Sequence, residues 1–171
     1  MDAARLAALE TAALEVEQHV AADGWDAPPR LFALVPTAEL LAAEPALAVQ
    51  LGPADPEALT PVEQEDLPEH DTLDELLAGI GWPEGVLGAA LVVERLVLPP
   101  EAEAGMPGDE QEALDWLSSH PQRQEVRVAV AVLRDGPRAC VLRMRAHEEE
   151  VLRGPDLVPA LAEALAATLA D

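Results

Sequence analysis

The sequence predicts an α+β domain: a mainly antiparallel sheet of about four strands, with amphipathic N- and C-terminal helices packed on one face and shorter helices at the other. Three observations carry that expectation. Apolar residues recur every three or four positions near both ends of the chain, the run from 89 to 98 is nearly continuous in aliphatic and β-branched residues, and EVRVAVAVLRDGPRACVLRMR (125 to 145) reads as two strands around a turn. Half of the 171 residues are apolar, which suffices for one sizeable core and makes 1–171 a single domain.

In the first helix Leu6, Leu9, Ala13, Val16 and Val20 form the stripe to be buried, Glu10, Glu15, Glu17 and Gln18 fall mainly between them, and Gly24 follows as a stop. RLFALV, 30 to 35, lies between Pro29 and Pro36 and is too short for a helix, so it is expected as an edge strand. Thr37 is placed to cap a helix through Glu39, Leu40 and Leu41, interrupted at Glu44-Pro45 and ended by Gly52. From 53 to 70 repeated prolines and dense carboxylates read as an acidic, Pro-rich surface loop. Its Glu63, Glu65, Asp66 and Glu69, with Asp71 beyond, lack the spaced ligands and central glycine of a calcium loop.

Asp71 opens a short helix carrying Leu73, Leu76, Leu77 and Ile80, and the 89 to 98 run follows as the central strand, covered on both faces. Gly79, Gly81, Gly85 and Gly88 precede that strand, whereas a dinucleotide turn runs strand, loop, helix so that a helix N-terminus meets the phosphate. Asp109 and Glu112 pair as caps of a helix holding Leu114, Trp116 and Leu117, which stops at His120-Pro121. Beyond the hairpin, Asp156 caps a last helix in which Leu157, Leu161, Leu165 and Leu169 repeat at intervals of four.

Charge and composition narrow the function classes. The net charge of -23 argues against nucleic acid, because phosphate-backbone binding needs clustered cations. The single cysteine, Cys140, allows no intrachain disulfide and fits a reducing cytoplasm. MDAARLAALE lacks the basic and apolar regions of a signal peptide, and no stretch of about 18 apolar residues exists, so no membrane insertion is expected. His19, His70, His120 and His147 share no metal-binding spacing, and Ser118 and Ser119, the only serines, sit in no nucleophile turn. No catalytic residue, metal ligand or cofactor site is assigned.

The hairpin is more informative. A two-residue turn at Asp135-Gly136 would put Arg138 and Arg143 on the valine face. A three-residue loop, Arg134 to Gly136 with Gly136 left-handed, instead faces Val126 with Met144, Val128 with Leu142 and Val130 with Cys140, and burial favours it. Cys140 then belongs to the core. Glu125 falls opposite Arg145, and Arg127 opposite Arg143, a like-charge pair that requires an anion nearby. Glu125, Glu94 or the acidic loop is expected to supply it as a surface network; an anionic ligand or an acidic partner segment is the competing source. Residues 123 to 147 carry six arginines against two carboxylates, while residues 1 to 122 carry three against 25. This polarity suits either acid folded over base in one chain or two copies pairing unlike patches. Trp25 and Trp82, each in a Gly-Trp pair before a strand, are candidates for closing the core or stacking on a ligand.

GWDAPPRLFALV, LTPVEQEDLP, GWPEGVLGAALVVERLVLPPEAEA, HPQRQEVRVAVAVLRDGPRACVLRMR and GPDLVPALAEALAATL together cover most of the chain. On these strings the sequence resembles small acidic actinobacterial proteins with no assigned function, a resemblance that implies no catalytic or binding residue. The expectation drawn from the residues is a non-catalytic cytoplasmic adaptor, with a homodimer as one form and a protein partner favoured over a small molecule. Arg127, Arg143, Arg145, Trp25 and Trp82 are its candidate partner-binding residues. The alternative is an enzyme or small-molecule sensor for a cationic or amphipathic ligand.

Overall fold

A computed structural model of the chain describes residues 3–26, 28–43, 46, 58–64, 67, 73–83, 85–97, 105, 107–121, 123–134, 136–154 and 158–169. In chain order its elements are α1 (Ala3–Ala21), β1 (Arg30–Pro36), α2 (Thr37–Ala43), β2 (Leu59–Glu63), α3 (Leu73–Ala78), β3 (Gly88–Val97), α4 (Glu110–Ser119), β4 (Gln124–Leu133), β5 (Arg138–Met144), β6 (His147–Gly154) and α5 (Pro159–Ala167). The strands form one sheet in the order β2-β1-β3-β4-β5-β6, every neighbouring pair antiparallel.

Among the described residues six strands replace the expected four, and the two additions lie at the two edges of the sheet they form. β2 lies inside the stretch expected as an irregular loop; its Pro61 is tolerated because an edge strand leaves half of its N–H groups outside the ladder. β6 hides behind three consecutive glutamates, which mask strand alternation. With β2 added outside it, β1 is an interior strand rather than an edge. β3 is central as expected. The expected helix features at Glu44-Pro45, Gly52, Asp71 and Asp156 lie outside the described residues.

Strand alternation divides the interior into two cores. Phe32, Leu34, Ala90, Val92, Ala129, Ala131, Leu133, Ala139 and Val141 pack against Leu9, Ala12, Ala13, Val16 and Val20 of α1. The intervening Leu31, Ala89, Leu91, Val93, Val126, Val128, Val130, Val132 and Cys140 pack against Leu77 of α3 and Leu161, Ala162 and Leu165 of α5. The N- and C-terminal helices therefore cover opposite faces instead of sharing one. A sheet whose central strands are apolar on both sides must bury both.

The hairpin follows the three-residue loop: Val126 faces Met144, Arg127 faces Arg143, Val128 faces Leu142 and Val130 faces Cys140. Leu133 N–H donates to the Pro137 carbonyl at 3.0 Å, and Gly136 adopts φ +112°, the region where a Cβ is costly. Cys140 is buried. In α4, Glu112 N–H donates to Asp109 Oδ2 at 3.1 Å, the first half of the expected capping pair. Thr37 begins α2, and its hydroxyl lies 2.7 Å from that of Thr60, tying the helix start to β2.

Candidate functional site

Arg127 and Arg143 occupy facing positions of β4 and β5 on the side that α1 covers. Their mutual repulsion demands a counter-charge, and α1 delivers one. Glu17 stands four residues after Ala13 and three before Val20, inside the helix's apolar stripe, and is 0% exposed. Arg127 Nη1 donates to Glu17 Oε2 at 2.9 Å. Arg143 Nε donates to Glu17 Oε1 at 2.9 Å and Oε2 at 3.1 Å, and its Nη2 lies 2.9 Å from Oε1. One carboxylate is thus saturated by two guanidinium groups.

The sheet face and the turn after α1 enclose the rest. Arg127 is only 1% exposed; its Nη2 donates to the Gly24 carbonyl at 2.9 Å, and the Trp25 ring covers it with Cζ 4.3 Å from the centroid. Its Nε has no hydrogen-bond partner among the described residues. Gly24 and Asp26 both have positive φ, +84° and +69°, a strained tight turn that brings Trp25 over the guanidinium. Asp26 N–H donates to Glu94 Oε1 at 2.8 Å, fastening that turn to β3. Arg145 lies at the exposed rim, bonded to Glu125 and, at 3.2 Å, to Asp26, with Cζ 5.5 Å from the Trp25 centroid. The hydrogen bond to Glu125, then that to Asp26, raises the Arg145 pKa.

Four of the five residues singled out from the sequence, Arg127, Arg143, Arg145 and Trp25, therefore come together. Trp82 does not: its Nε1 donates to Thr168 Oγ1 at 2.9 Å, and it packs against the α5-side core. The expected source of the counter-charge is also corrected. Glu125 serves Arg145 and Glu94 serves the turn, while Glu17 neutralises the buried pair from inside a helix core rather than in a surface network. Glu17 was legible in principle, because its spacing from Ala13 and Val20 places a carboxylate in the stripe. Arg134 was not. Its side chain donates to the carbonyls of Val86 (2.7 Å), Leu169 (2.7 Å), Pro83 (3.0 Å) and Trp82 (3.2 Å), and backbone acceptors leave no mark in a sequence.

A second charged group joins α1 to the other end of the sheet. Arg30 forms a fork with Glu63, 2.7 Å from Nε and 2.6 Å from Nη2, and also pairs with Asp23. These bonds hold the Glu63 carboxyl below the ordinary carboxylate range, against the opposing effect of burial. His19 Nε2 lies 3.4 Å from Glu63, and its ring meets Phe32 edge-on. Beside this group, Glu15, Val16, His19, Phe32, Pro61 and Glu63 line a cavity of about 370 Å³. Partial desolvation pushes the Glu15 carboxyl up, although the residue remains exposed on α1. Among the described residues no group of three His, Cys, Asp or Glu is arranged to hold a metal ion, and no helix is long and apolar enough to cross a membrane.

A family model described as PPA1309-like protein matches residues 9–170. The chain belongs to that family. The matched span begins at Leu9, the first fully buried residue of α1, and includes Glu17, all six strands and α5, so the buried ion cluster lies wholly within the family's domain. The family carries no assigned activity. No curated protein and no solved structure matches the chain.

Proposed function

We propose that this protein is a non-catalytic, cytoplasmic protein-binding module that docks its partner on the β5–β6 part of the sheet, on the α5 side. One observation supports this reading above others. α5 packs over β3 and β4, and beyond it Leu142 and Met144 are only half-buried while Leu152 on β6 is 54% exposed. A leucine left open beside two half-covered apolar neighbours, on a strand that among the described residues bonds on one side only, suits a partner that makes apolar contact there. The Arg127–Glu17–Arg143 cluster serves this surface from behind, by holding α1 rigidly against β4 and β5. A photo-crosslinking residue at position 152 should yield a polypeptide adduct in cells, and the same residue at exposed position 39 on α2 should not. Absence of an adduct at 152 overturns the reading.

The cavity between α1 and β2 supports a second reading, a sensor for a cationic, amphipathic small molecule. Glu15 is exposed on α1 but partly desolvated where it lines the cavity, and it makes no ion pair among the described residues; a ligand ammonium beside it, with an apolar body along Val16, Phe32 and Pro61, would offset that partial loss of hydration. Alkylamines should then raise the melting temperature of the chain but not that of Glu15→Gln. Equal or absent shifts exclude this reading.

A further inference from the structure

We propose that the cavity between the N-terminal half of α1 and the strands β5 and β6 binds a small organic monoanion, a carboxylate carried on a short apolar body. This site is independent of the docking reading above, which concerns the α5 side of the same strands. Leu6, Glu10, Arg138, Ala139, Val141 and Arg153 line a space of about 290 Å³ there. That volume lies close to the lower bound of about 300 Å³ for small-molecule sites, so the ligand it fits is small.

The space arises because β6 stops before β5 does. Among the described residues the two strands pair as far as Cys140 with Gly154, so Arg138 and Ala139 run on with β4 as their only strand neighbour. Val141 pairs with Arg153 in the regular part of the ladder, and Ala139 and Val141 belong to the core that α1 covers. Residues opposite each other in a ladder share a face, which puts Arg153 on the α1 side beside Val141. Arg138, in register with Val132 at the hairpin end, reaches the cavity where β6 has ended. Leu6 and Glu10, one turn apart on α1, close the remaining side.

Charge selects the ligand. Among the described residues the guanidinium groups of Arg138 and Arg153 make no ion pair and no hydrogen bond, in a chain with 33 carboxylates for ten arginines. Arg95 is likewise unpaired, but it stands exposed on β3, whereas Arg138 is half-buried beside apolar neighbours. A guanidinium that has lost part of its hydration without a counter-ion gains from a carboxylate, whose two oxygens match its fork. Leu6, Ala139 and Val141 offer hydrocarbon contact to the rest of the ligand. Glu10 shares the lining, so two arginines against one glutamate leave a net charge of +1. This suits a monoanion, and the Glu10 carboxylate repels a phosphate dianion more strongly than it repels a single charge.

Titration of the isotope-labelled full chain with sodium octanoate, followed by amide chemical shifts, tests the site. Saturable shifts centred on Ala139, Val141 and Arg153 are expected, with a Kd of about 1 mM or tighter. Octylammonium, the same chain with the opposite charge, should leave these amides unmoved even if it binds beside Glu15. Octyl phosphate, as the dianion at mildly alkaline pH, should bind about tenfold more weakly than octanoate. Arg138→Gln and Arg153→Gln should each raise the octanoate Kd about fivefold, and Glu10→Gln should lower it about threefold. Glu10 is exposed on α1, so its replacement disturbs no core contact and keeps the charge argument testable should an arginine variant fail to fold by circular dichroism. Failure to saturate by about 10 mM octanoate overturns the proposal. So do equal binding of octylammonium at these amides and an affinity indifferent to all three replacements.

Discussion

Glu17 carries more of the fold than any exposed charge. Removing it by Glu17→Ala takes away the carboxylate that both guanidinium groups share under α1, and should cost about 3–5 kcal/mol in urea unfolding, because a buried charge such as Arg127 that loses its ion-pair partner keeps its desolvation penalty. Replacing all three members by apolar residues of similar volume, E17M with R127M and R143M, should recover most of that loss. A triple variant as unstable as the single one would mean that the ions supply net attraction rather than merely mutual neutralisation. Glu63 is the pH-sensitive member of the second cluster. Its pKa is lowered in the folded state, so its stabilisation is complete above the ordinary value near 4.5 and fades as pH falls through the lowered one. The stability gap between the wild type and Glu63→Gln should close as pH falls below about 4.5. A gap that persists through that fall would contradict the Arg30–Glu63 assignment. Cys140, 2% exposed in the α5-side core, should react with thiol reagents only as fast as the protein opens, and rapid labelling of the native chain would refute its placement.

At the scale of elements, the hairpin was the most legible part of the chain and the edge strands the least. Arg134, Gly136 and the alternation of 126 to 133 determine a turn and a register by local geometry, so the facing of Arg127 with Arg143 followed without any knowledge of the rest. β2 and β6 carry no such mark. Their hydrogen bonds come from β1 and β5, and a strand buried on at most one side can be written in proline and glutamate. Gly88, at the start of β3, illustrates a constraint set by a neighbouring strand. A Cβ there would stand 2.3 Å from the Val132 carbonyl oxygen and 2.8 Å from Leu133 Cδ2, so Gly88→Ala must displace β4 backbone. The expected loss is about 2 kcal/mol or more, read from the urea midpoint. A neutral result would show that β3 enters the sheet by another path.

For the whole molecule, the two cores on opposite sides of one sheet predict a gradient of local stability. Amides of β3 and β4, flanked by strands and covered on both faces, should exchange only through global opening, whereas those of β2 and β6 should exchange earlier. Hydrogen exchange followed by mass spectrometry measures this directly. α1 should exchange with the central strands rather than fray as a surface helix, because the Glu17 bonds to β4 and β5 must break before it lifts.

The sequence by itself determined whatever depends on near neighbours: the stripe of α1, the central apolar strand, the hairpin register, the buried thiol and the juxtaposition of two like charges that had to be neutralised. Four of its five candidate residues assemble, since two face each other on the paired strands, the third directly follows β5 and the fourth precedes β1 by only a few positions. Which face each terminal helix covers, which carboxylate enters between the arginines, and where the sheet stops were decided only in the tertiary structure. The reason is physical. Periodicity states that a face is buried but not against what, and a chain with 33 carboxylates offers many counter-ions of equal local merit. Only the docking of α1 onto β4 and β5, a contact spanning more than a hundred residues of chain, selects Glu17 from among them.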